Sequence, residues 1–114
     1  MVNGTNGIVL FPDNFTMPSG MGYPSNINGS TGSFSSNAYS EFQWSWMEAA
    51  GCIFLPAAGL RYGTQISKVG DNGYYWSSTG YDIVNAWSMY YDNSSIKVST
   101  IDRAYGRSVR LVKD

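Results

Sequence analysis

The sequence predicts an α+β fold: a small twisted antiparallel sheet with one helix and long loops. Between residues 73 and 112, short apolar/polar alternations are separated by turns rich in Asp, Asn, Ser and Gly, which is typical of antiparallel strands. A single segment, residues 41–50, has the spacing of a helix instead. With 114 residues, the chain is expected to form one domain, residues 1–114.

The first expected element is a buried strand at residues 8–11. This run of Ile, Val, Leu and Phe is ended by Pro12 and Asp13, which favour a turn. Residues 18–36 are dense in Gly, Ser, Asn and Pro, and they contain few large apolar side chains. This composition predicts a long surface loop.

The helix is predicted from its start, its stop and its spacing. Ser40 and Gln43 form a capping box, in which each side chain can bond the backbone of the other residue. Gly51 supplies the C-terminal stop. The face expected to pack on the sheet consists of Phe42, Trp46, Ala49 and Ala50.

Further strands are expected after the helix. Residues 52–55 continue as a strand that Pro56 breaks, and residues 60–72 are expected to form a polar connection. Within residues 86–92, the alternation places Trp87, Met89 and Tyr91 on one face, and Ser88, Tyr90 and Asp92 on the other. Residues 92–95 predict a turn, residues 96–101 a strand of undetermined facing, and residues 108–112 a last strand.

Composition argues against several classes of function. A net charge of −1 gives no basic footprint, so nucleic acid is not an expected partner. The absence of histidine removes the commonest general base, and the carboxylates form no close pair in an apolar setting. The single Cys52 lies in an apolar run and is expected to be a buried small hydrophobe. No segment approaches the ~20 apolar residues needed to span a bilayer. We therefore expect no enzyme, no cofactor and no membrane-spanning segment.

Three groups of polar and aromatic residues allow two interpretations each. The pairs Asp71-Asn72 and Asp92-Asn93 could supply oxygen ligands to calcium, but such pairs more often form Asx turns. Trp76 and Trp87 could form a sugar-stacking platform, although tryptophans in alternating strands are more often core. The third group could bind an acidic ligand or, as we favour, tie loops to the sheet: Arg103, Arg107 and Arg110.

The order of the apolar and aromatic motifs resembles one known family. The motifs are Gly-Ile-Val-Leu-Phe-Pro-Asp at residues 7–13, Trp-Ser-Trp-Met-Glu-Ala-Ala-Gly at 44–51, Phe-Leu-Pro-Ala-Ala-Gly at 54–59, Tyr-Trp-Ser-Ser-Thr at 75–79 and Ser-Val-Arg-Leu-Val at 108–112. In this order they resemble the FISUMP (major paralogous) domain of bacterial surface proteins, found especially in Bacteroidetes-type species. The chain looks like the C-terminal half of that domain, which implies a fragment lacking its N-terminal half.

The resemblance implies a C-type lectin-like fold at the cell surface or outside the cell. Some proteins of this group are the variable proteins of diversity-generating retroelements, in which mutagenesis rewrites solvent-facing residues of a fixed frame. Here the frame would be Trp76, Ser77, Ser78, Ala86, Arg103, Gly106, Ser108, Val109 and Arg110. The variable, ligand-facing residues would be Tyr81, Asp82, Ile83, Asn85, Ser88, Tyr90, Asp92, Asn93, Ser94, Ile96, Val98, Thr100, Asp102, Ala104, Tyr105 and Arg107.

Two departures from related proteins narrow the expected function. The chain lacks the catalytic cysteine pattern of the formylglycine-generating enzymes, and it lacks the Glu-Pro-Asn or Gln-Pro-Asp signature of calcium-dependent lectins. The sequence therefore predicts a non-enzymatic ligand-binding module that recognises a protein or a glycan. The alternative is a structural or assembly component of a surface lipoprotein or filament.

Overall fold

A computed structural model describes residues 1–19 and 33–111. The strands are β1 (Gly7–Leu10), β2 (Ile53–Pro56), β3 (Leu60–Tyr62), β4 (Gln65–Ser67), β5 (Gly73–Gly80), β6 (Asn85–Tyr91), β7 (Ile96–Asp102) and β8 (Tyr105–Gly106). A 3-10 helix (Phe34–Asn37) and one α-helix, α1 (Glu41–Ala49), precede β2. The strands form three antiparallel sheets in the orders β1-β2, β4-β3-β8 and β5-β6-β7. The α+β class is therefore confirmed.

The capping of α1 is confirmed, but its predicted packing face is wrong. Ser40 Oγ accepts the Gln43 N–H at 3.2 Å, and Gln43 Oε1 accepts the Ser40 N–H at 2.9 Å. The buried side chain is Met47, whereas Phe42 is 62% exposed and Trp46 is 55% exposed. Helical spacing allows several apolar stripes on this short helix, and the stripe that contains Met47 is the one that meets the core.

The β1-β2 ribbon lies between two parts of the core. In register, Val9 pairs with Phe54, and both pack with Met47 in the cluster on the helix side. Their neighbours Ile8 and Leu55 also pair, and both belong to the cluster that contains Tyr75 and Tyr91. Alternate residues of the ribbon thus pack into the two different clusters, because successive side chains of a strand point to opposite faces. The buried position predicted for Cys52 is confirmed, since it is 4% exposed within the helix-side cluster.

The sheet β5-β6-β7 has one face toward the core. Tyr75, Met89 and Tyr91 lie on this core-side face, and Tyr91 is fully buried. Its hydroxyl donates to the Leu55 carbonyl oxygen, and the Tyr75 hydroxyl donates to the Pro56 carbonyl oxygen at 2.7 Å. These bonds attach the three-stranded sheet to β2. The faces predicted for residues 86–92 are therefore correct for Met89 and Tyr91.

Three expectations about the strands and loops need correction. Residues 60–72 are more than a polar connection, because β3 and β4 form a hairpin there. The last strand predicted at 108–112 is wrong for the described residues: Ser108 makes an isolated parallel bridge with Tyr75, and Leu111 is 86% exposed. The expected surface loop 18–36 contains the 3-10 helix; its residues 20–32, like residues 112–114, lie outside the described part.

Candidate functional site

The opposite face of the large sheet, which we call the outer face, carries two rows of side chains. Register places Tyr74, Tyr90 and Lys97 side by side across the three strands. The next row consists of Trp76, Ser88 and Ser99. The rings of Tyr74 and Tyr90 lie 5.1 Å apart at an angle of 35°. Aromatic rings therefore cover the β5-β6 part of this face, and small or basic residues lie beside them on the edge strand β7.

Arg107 crosses this face from the segment after β8. Its guanidinium lies 4.9 Å from the Tyr74 ring centroid and 5.4 Å from that of Trp76, both within cation-π range. Arg107 Nη1 donates to Ser88 Oγ at 2.7 Å. The next residue, Ser108, is fixed on β5 by bonds with the backbone of Tyr74 and Trp76. Backbone pairing of Ser108 thus holds Arg107 over the outer face.

A shallow cavity of about 550 Å³ opens on the outer face beside Arg107. Such a volume lies within the range of small-molecule sites. Two tyrosines, Arg107 and three residues of the edge strand β7 surround it: Tyr74, Tyr90, Lys97, Val98, Ser99 and Arg107. These residues offer hydrogen-bond donors and apolar surface together, which suits a polar ligand with an apolar face.

Tyr90 is fixed in place by two hydrogen bonds. Its hydroxyl donates to Asp92 Oδ2 at 2.7 Å and accepts from Asn72 Nδ2 at 3.2 Å. The bond to Asp92 raises the pKa of Tyr90, and burial adds to this effect. For Tyr74, burial is the main cause that raises the pKa, while the charge of Arg107 lowers that pKa. The bonds with Asp92 and Asn72 therefore fix Tyr90 beside Tyr74 in the cavity wall.

Asp92 organises the β6-β7 turn. Its Oδ1 accepts the backbone N–H groups of Ser94 and Ser95, each at 2.8 Å. The Tyr90 hydroxyl and then the bonds from Ser94 hold the pKa of this carboxyl well below its usual range. The Asx-turn interpretation is thus confirmed for Asp92. Among residues 1–19 and 33–111, no group of three or more His, Cys, Asp or Glu side chains is placed to hold a metal ion.

The predicted residues of the β5-β6 loop belong to a second built turn. Asp82 Oδ2 accepts from Asn85 Nδ2 at 3.1 Å, and Asp82 Oδ1 accepts the N–H groups of Val84 and Asn85 at 2.7 and 2.6 Å. The bond from the Asn85 side chain and then the two backbone bonds lower the pKa of Asp82. Arg103 donates to the carbonyl oxygens of Asp82 and Asn85 at 2.8 and 3.1 Å. Arg103 therefore has the structural role that we favoured for the arginines, because it ties this loop to the segment after β7.

The structure separates the predicted ligand-facing residues into four places. One end of the large sheet carries Tyr81, Asp82, Ile83, Asn85, Asp102 and Ala104, and the other end carries Asp92, Asn93 and Ser94. Ile96, Val98 and Thr100 pair with Tyr91, Met89 and Trp87, so strand alternation places them on the core-side face of β7. The outer face brings together Ser88, Tyr90 and Arg107, with Tyr105 6.0 Å from the Arg107 guanidinium.

Ser88 and the two tryptophans differ from expectation. Ser88 was expected to face solvent, but it is fully buried because Arg107 covers it. Trp76 and Trp87 are half-buried rather than core residues. Trp76 lies against Arg107, and Trp87 meets the Tyr81 ring edge-on at a centroid distance of 5.7 Å.

Three residues of the cavity were missed in the sequence: Tyr74, Lys97 and Ser99. Tyr74 lies in a run of three aromatic residues, which does not show which side chains point to which face of the strand. The apolar/polar alternation in β7 is also weak. Their signal lies in strand pairing, because each is in register with a residue of β6. Only the register, which a single sequence does not contain, places them beside Tyr90.

The described strands and helices form a small α+β fold built mostly of antiparallel strands, with the cavity on its outer face. The chain belongs to the family described as Domain of unknown function (DUF8237), whose model matches residues 33–112. No curated protein and no solved structure matches the chain. Within the described residues, no helix is both long enough and apolar enough to cross a membrane.

Proposed function

We propose that this chain is a non-enzymatic ligand-binding module of a bacterial surface protein, with a C-type lectin-like fold and a protein or glycan ligand. The observation that carries the proposal is the cavity of about 550 Å³ on the outer face, lined by Tyr74, Tyr90 and Arg107 among others. Tyrosine and arginine are the residue types that dominate recognition surfaces, because each combines apolar area with directional hydrogen bonds. The resemblance of the motifs to the FISUMP domain supports the surface location and the fold.

The rigidity of the cavity wall also supports a binding function. Tyr90 is held by Asp92 and Asn72, and Arg107 is held by Ser88 and two aromatic rings. A ligand that enters therefore meets side chains that are already ordered, which lowers the entropic cost of binding.

Binding through the outer face can be tested with a steric pair on β7. Ser99 lines the cavity, and Ile96 is exposed on the opposite face of the same strand. We expect Ser99→Trp to abolish binding to any ligand recovered from arrays of surface glycans and bacterial proteins. Ile96→Trp should leave that binding unchanged.

The opposite pattern, with binding lost only in Ile96→Trp, would place the ligand on the core-side face of β7 and refute the outer-face site. Circular dichroism and thermal unfolding of both variants would exclude a folding defect as the cause.

A role in assembly is the second candidate, and one observation favours it. The edge strand β7 exposes Ile96 and Val98, which are 58% and 67% exposed, and an exposed apolar edge is suited to pairing with another chain. Sedimentation velocity over a range of concentrations tests this role. A defined oligomer that Ile96→Lys dissociates would support assembly, whereas a monomer at every concentration would count against it.

A further inference from the structure

The outer-face cavity contains positive charge that no acidic side chain of residues 1–19 and 33–111 neutralises. Within the described residues, the contacts of Arg107 are the Ser88 hydroxyl and the rings of Tyr74, Trp76 and Tyr105, with no ion pair. Lys97 is exposed on the other side of the same cavity. Half-buried arginines are commonly paired with an acidic group, because an unpaired charge is costly away from water. The cavity therefore offers an anion two cationic side chains, neither of which is paired with a described acidic group.

The hydrogen bonds of Arg107 support the same conclusion. A guanidinium carries five N–H donors, and only Nη1 has a hydrogen-bond partner among the described residues. Its Nε is buried and has no partner among them. Nε is closed to solvent and therefore to a ligand in the cavity. Nη2 is not buried in this way and has no partner among the described residues either, so it is the nitrogen that can donate to a bound oxygen atom. The planar guanidinium matches the two oxygens of a carboxylate in particular.

Asp92, the acidic side chain that bonds Tyr90 of the cavity wall, does not satisfy this charge. Asp92 lies beyond Tyr90, and it lines a neighbouring cavity together with Asn72 and Asn93. Both of its oxygens are already occupied, one by the Tyr90 hydroxyl and the other by the serine N–H groups of the turn. Asp92 therefore fixes the cavity wall and leaves Arg107 and Lys97 free to bind an anion.

We propose that the cavity binds a carboxylate-bearing sugar, such as a uronic acid residue of an acidic glycan. This inference rests on the proposed binding function and specifies its ligand. The carboxylate pairs with Arg107 and Lys97, while the ring packs beside Tyr74 and Tyr90. The remaining sugar hydroxyls reach the hydroxyl groups of Tyr74 and Ser99, which bond no side chain among the described residues.

A sugar fits this cavity better than an acidic side chain of a protein. The volume of about 550 Å³ exceeds what one Asp or Glu carboxylate fills, and the cavity lies open at the surface. Its lining combines aromatic rings with polar side chains, and a pyranose ring likewise combines apolar faces with hydroxyl-bearing edges. An acidic peptide would use the two cations and leave the tyrosine wall uncovered.

Titration calorimetry with trigalacturonate, at low and at physiological salt, tests the inference. The matched neutral probe is its methyl ester, and an Asp- and Glu-containing peptide serves as the protein-like probe. We expect Arg107→Gln to weaken trigalacturonate binding about tenfold or more. Lys97→Gln should weaken it by a smaller factor, and added salt should weaken binding of the native chain.

Arg110→Gln is the control, because it removes the same charge from an exposed position outside the cavity. It should leave the affinity for trigalacturonate within about twofold of the native value at physiological salt. Lys97 is exposed, so its variant keeps the test valid if Arg107→Gln does not fold.

Equal binding of trigalacturonate and its methyl ester would overturn the anionic preference and leave the binding function standing. Binding of the acidic peptide but not of the sugar would overturn the sugar assignment, as would binding of neither probe. The proposed binding function fails separately, if the arrays of surface glycans and bacterial proteins yield no ligand. Its placement on the outer face fails if Ile96→Trp, and not Ser99→Trp, abolishes binding.

Discussion

Gly73 provides the sharpest test of how the large sheet is packed. It lies at the start of β5 and pairs directly with Tyr91 of β6. A Cβ atom added at Gly73 would lie 2.0 Å from Cε1 and 2.1 Å from Cζ of the Tyr91 ring. Non-bonded carbon atoms pack at about 3.5–4.0 Å, so the ring has to move. Tyr91 cannot move freely, because it is fully buried and its hydroxyl bonds the Leu55 carbonyl oxygen.

The cost of Gly73→Ala follows from these contacts. Overpacking a tightly filled core typically costs about 1–3 kcal/mol. A displaced Tyr91 would also lose its bond to Leu55, and an ordinary hydrogen bond contributes about 1 kcal/mol. We therefore expect Gly73→Ala to lower the free energy of unfolding by about 2–4 kcal/mol. That is a large share of the roughly 5–15 kcal/mol that stabilises most domains.

Urea unfolding followed by circular dichroism measures this cost, and Gly80→Ala is the matched control. Gly80 lies in the same strand, but a Cβ there meets only the end of the flexible Arg103 side chain at 3.1 Å. Its free energy of unfolding should change by less than about 0.5 kcal/mol. If Gly73→Ala and Gly80→Ala unfold at the same urea concentration as the native chain, the close packing of Tyr91 on Gly73 is refuted.

Two further predictions concern the helix and the β6-β7 turn. Met47→Ala should lower the free energy of unfolding by about 2–5 kcal/mol, because Met47 is fully buried. Trp46→Ala should lower it by less than about 1 kcal/mol, because Trp46 is 55% exposed. Equal changes in the urea midpoint would contradict the observed packing of α1. Hydrogen bonds lower the pKa of Asp92 in the folded chain. The stability that Asp92 contributes is therefore fully present above the pKa of an unfolded Asp, about 3.9, and it is lost as the pH falls toward the lower pKa of the folded state. The difference in urea midpoint between the native chain and Asp92→Asn should therefore be constant near neutral pH and shrink below about pH 4; a difference independent of pH would contradict this role.

The local elements could be predicted from the sequence. The capping box of Ser40 and Gln43 is a contact between residues three positions apart, so it could be found without any tertiary information. The turn at Asp92 is local in the same way, since its carboxylate bonds residues two and three positions further on. The alternation in β6 also gave the facing of Met89 and Tyr91. Each of these features follows from the chemistry of neighbouring residues.

Tertiary structure alone decided which surfaces meet. Helical spacing around Trp46 is compatible with more than one apolar face, and packing against the β1-β2 ribbon selected the face of Met47. Strand register placed Tyr74 and Lys97 beside Tyr90, and the segment after β8 brought Arg107 over Ser88, 19 residues away in the chain. Contacts of this kind join residues far apart in sequence, so no local pattern encodes them. The same long-range pairing separated the predicted ligand-facing residues between two faces and two ends of the sheet and formed the cavity on one of those faces.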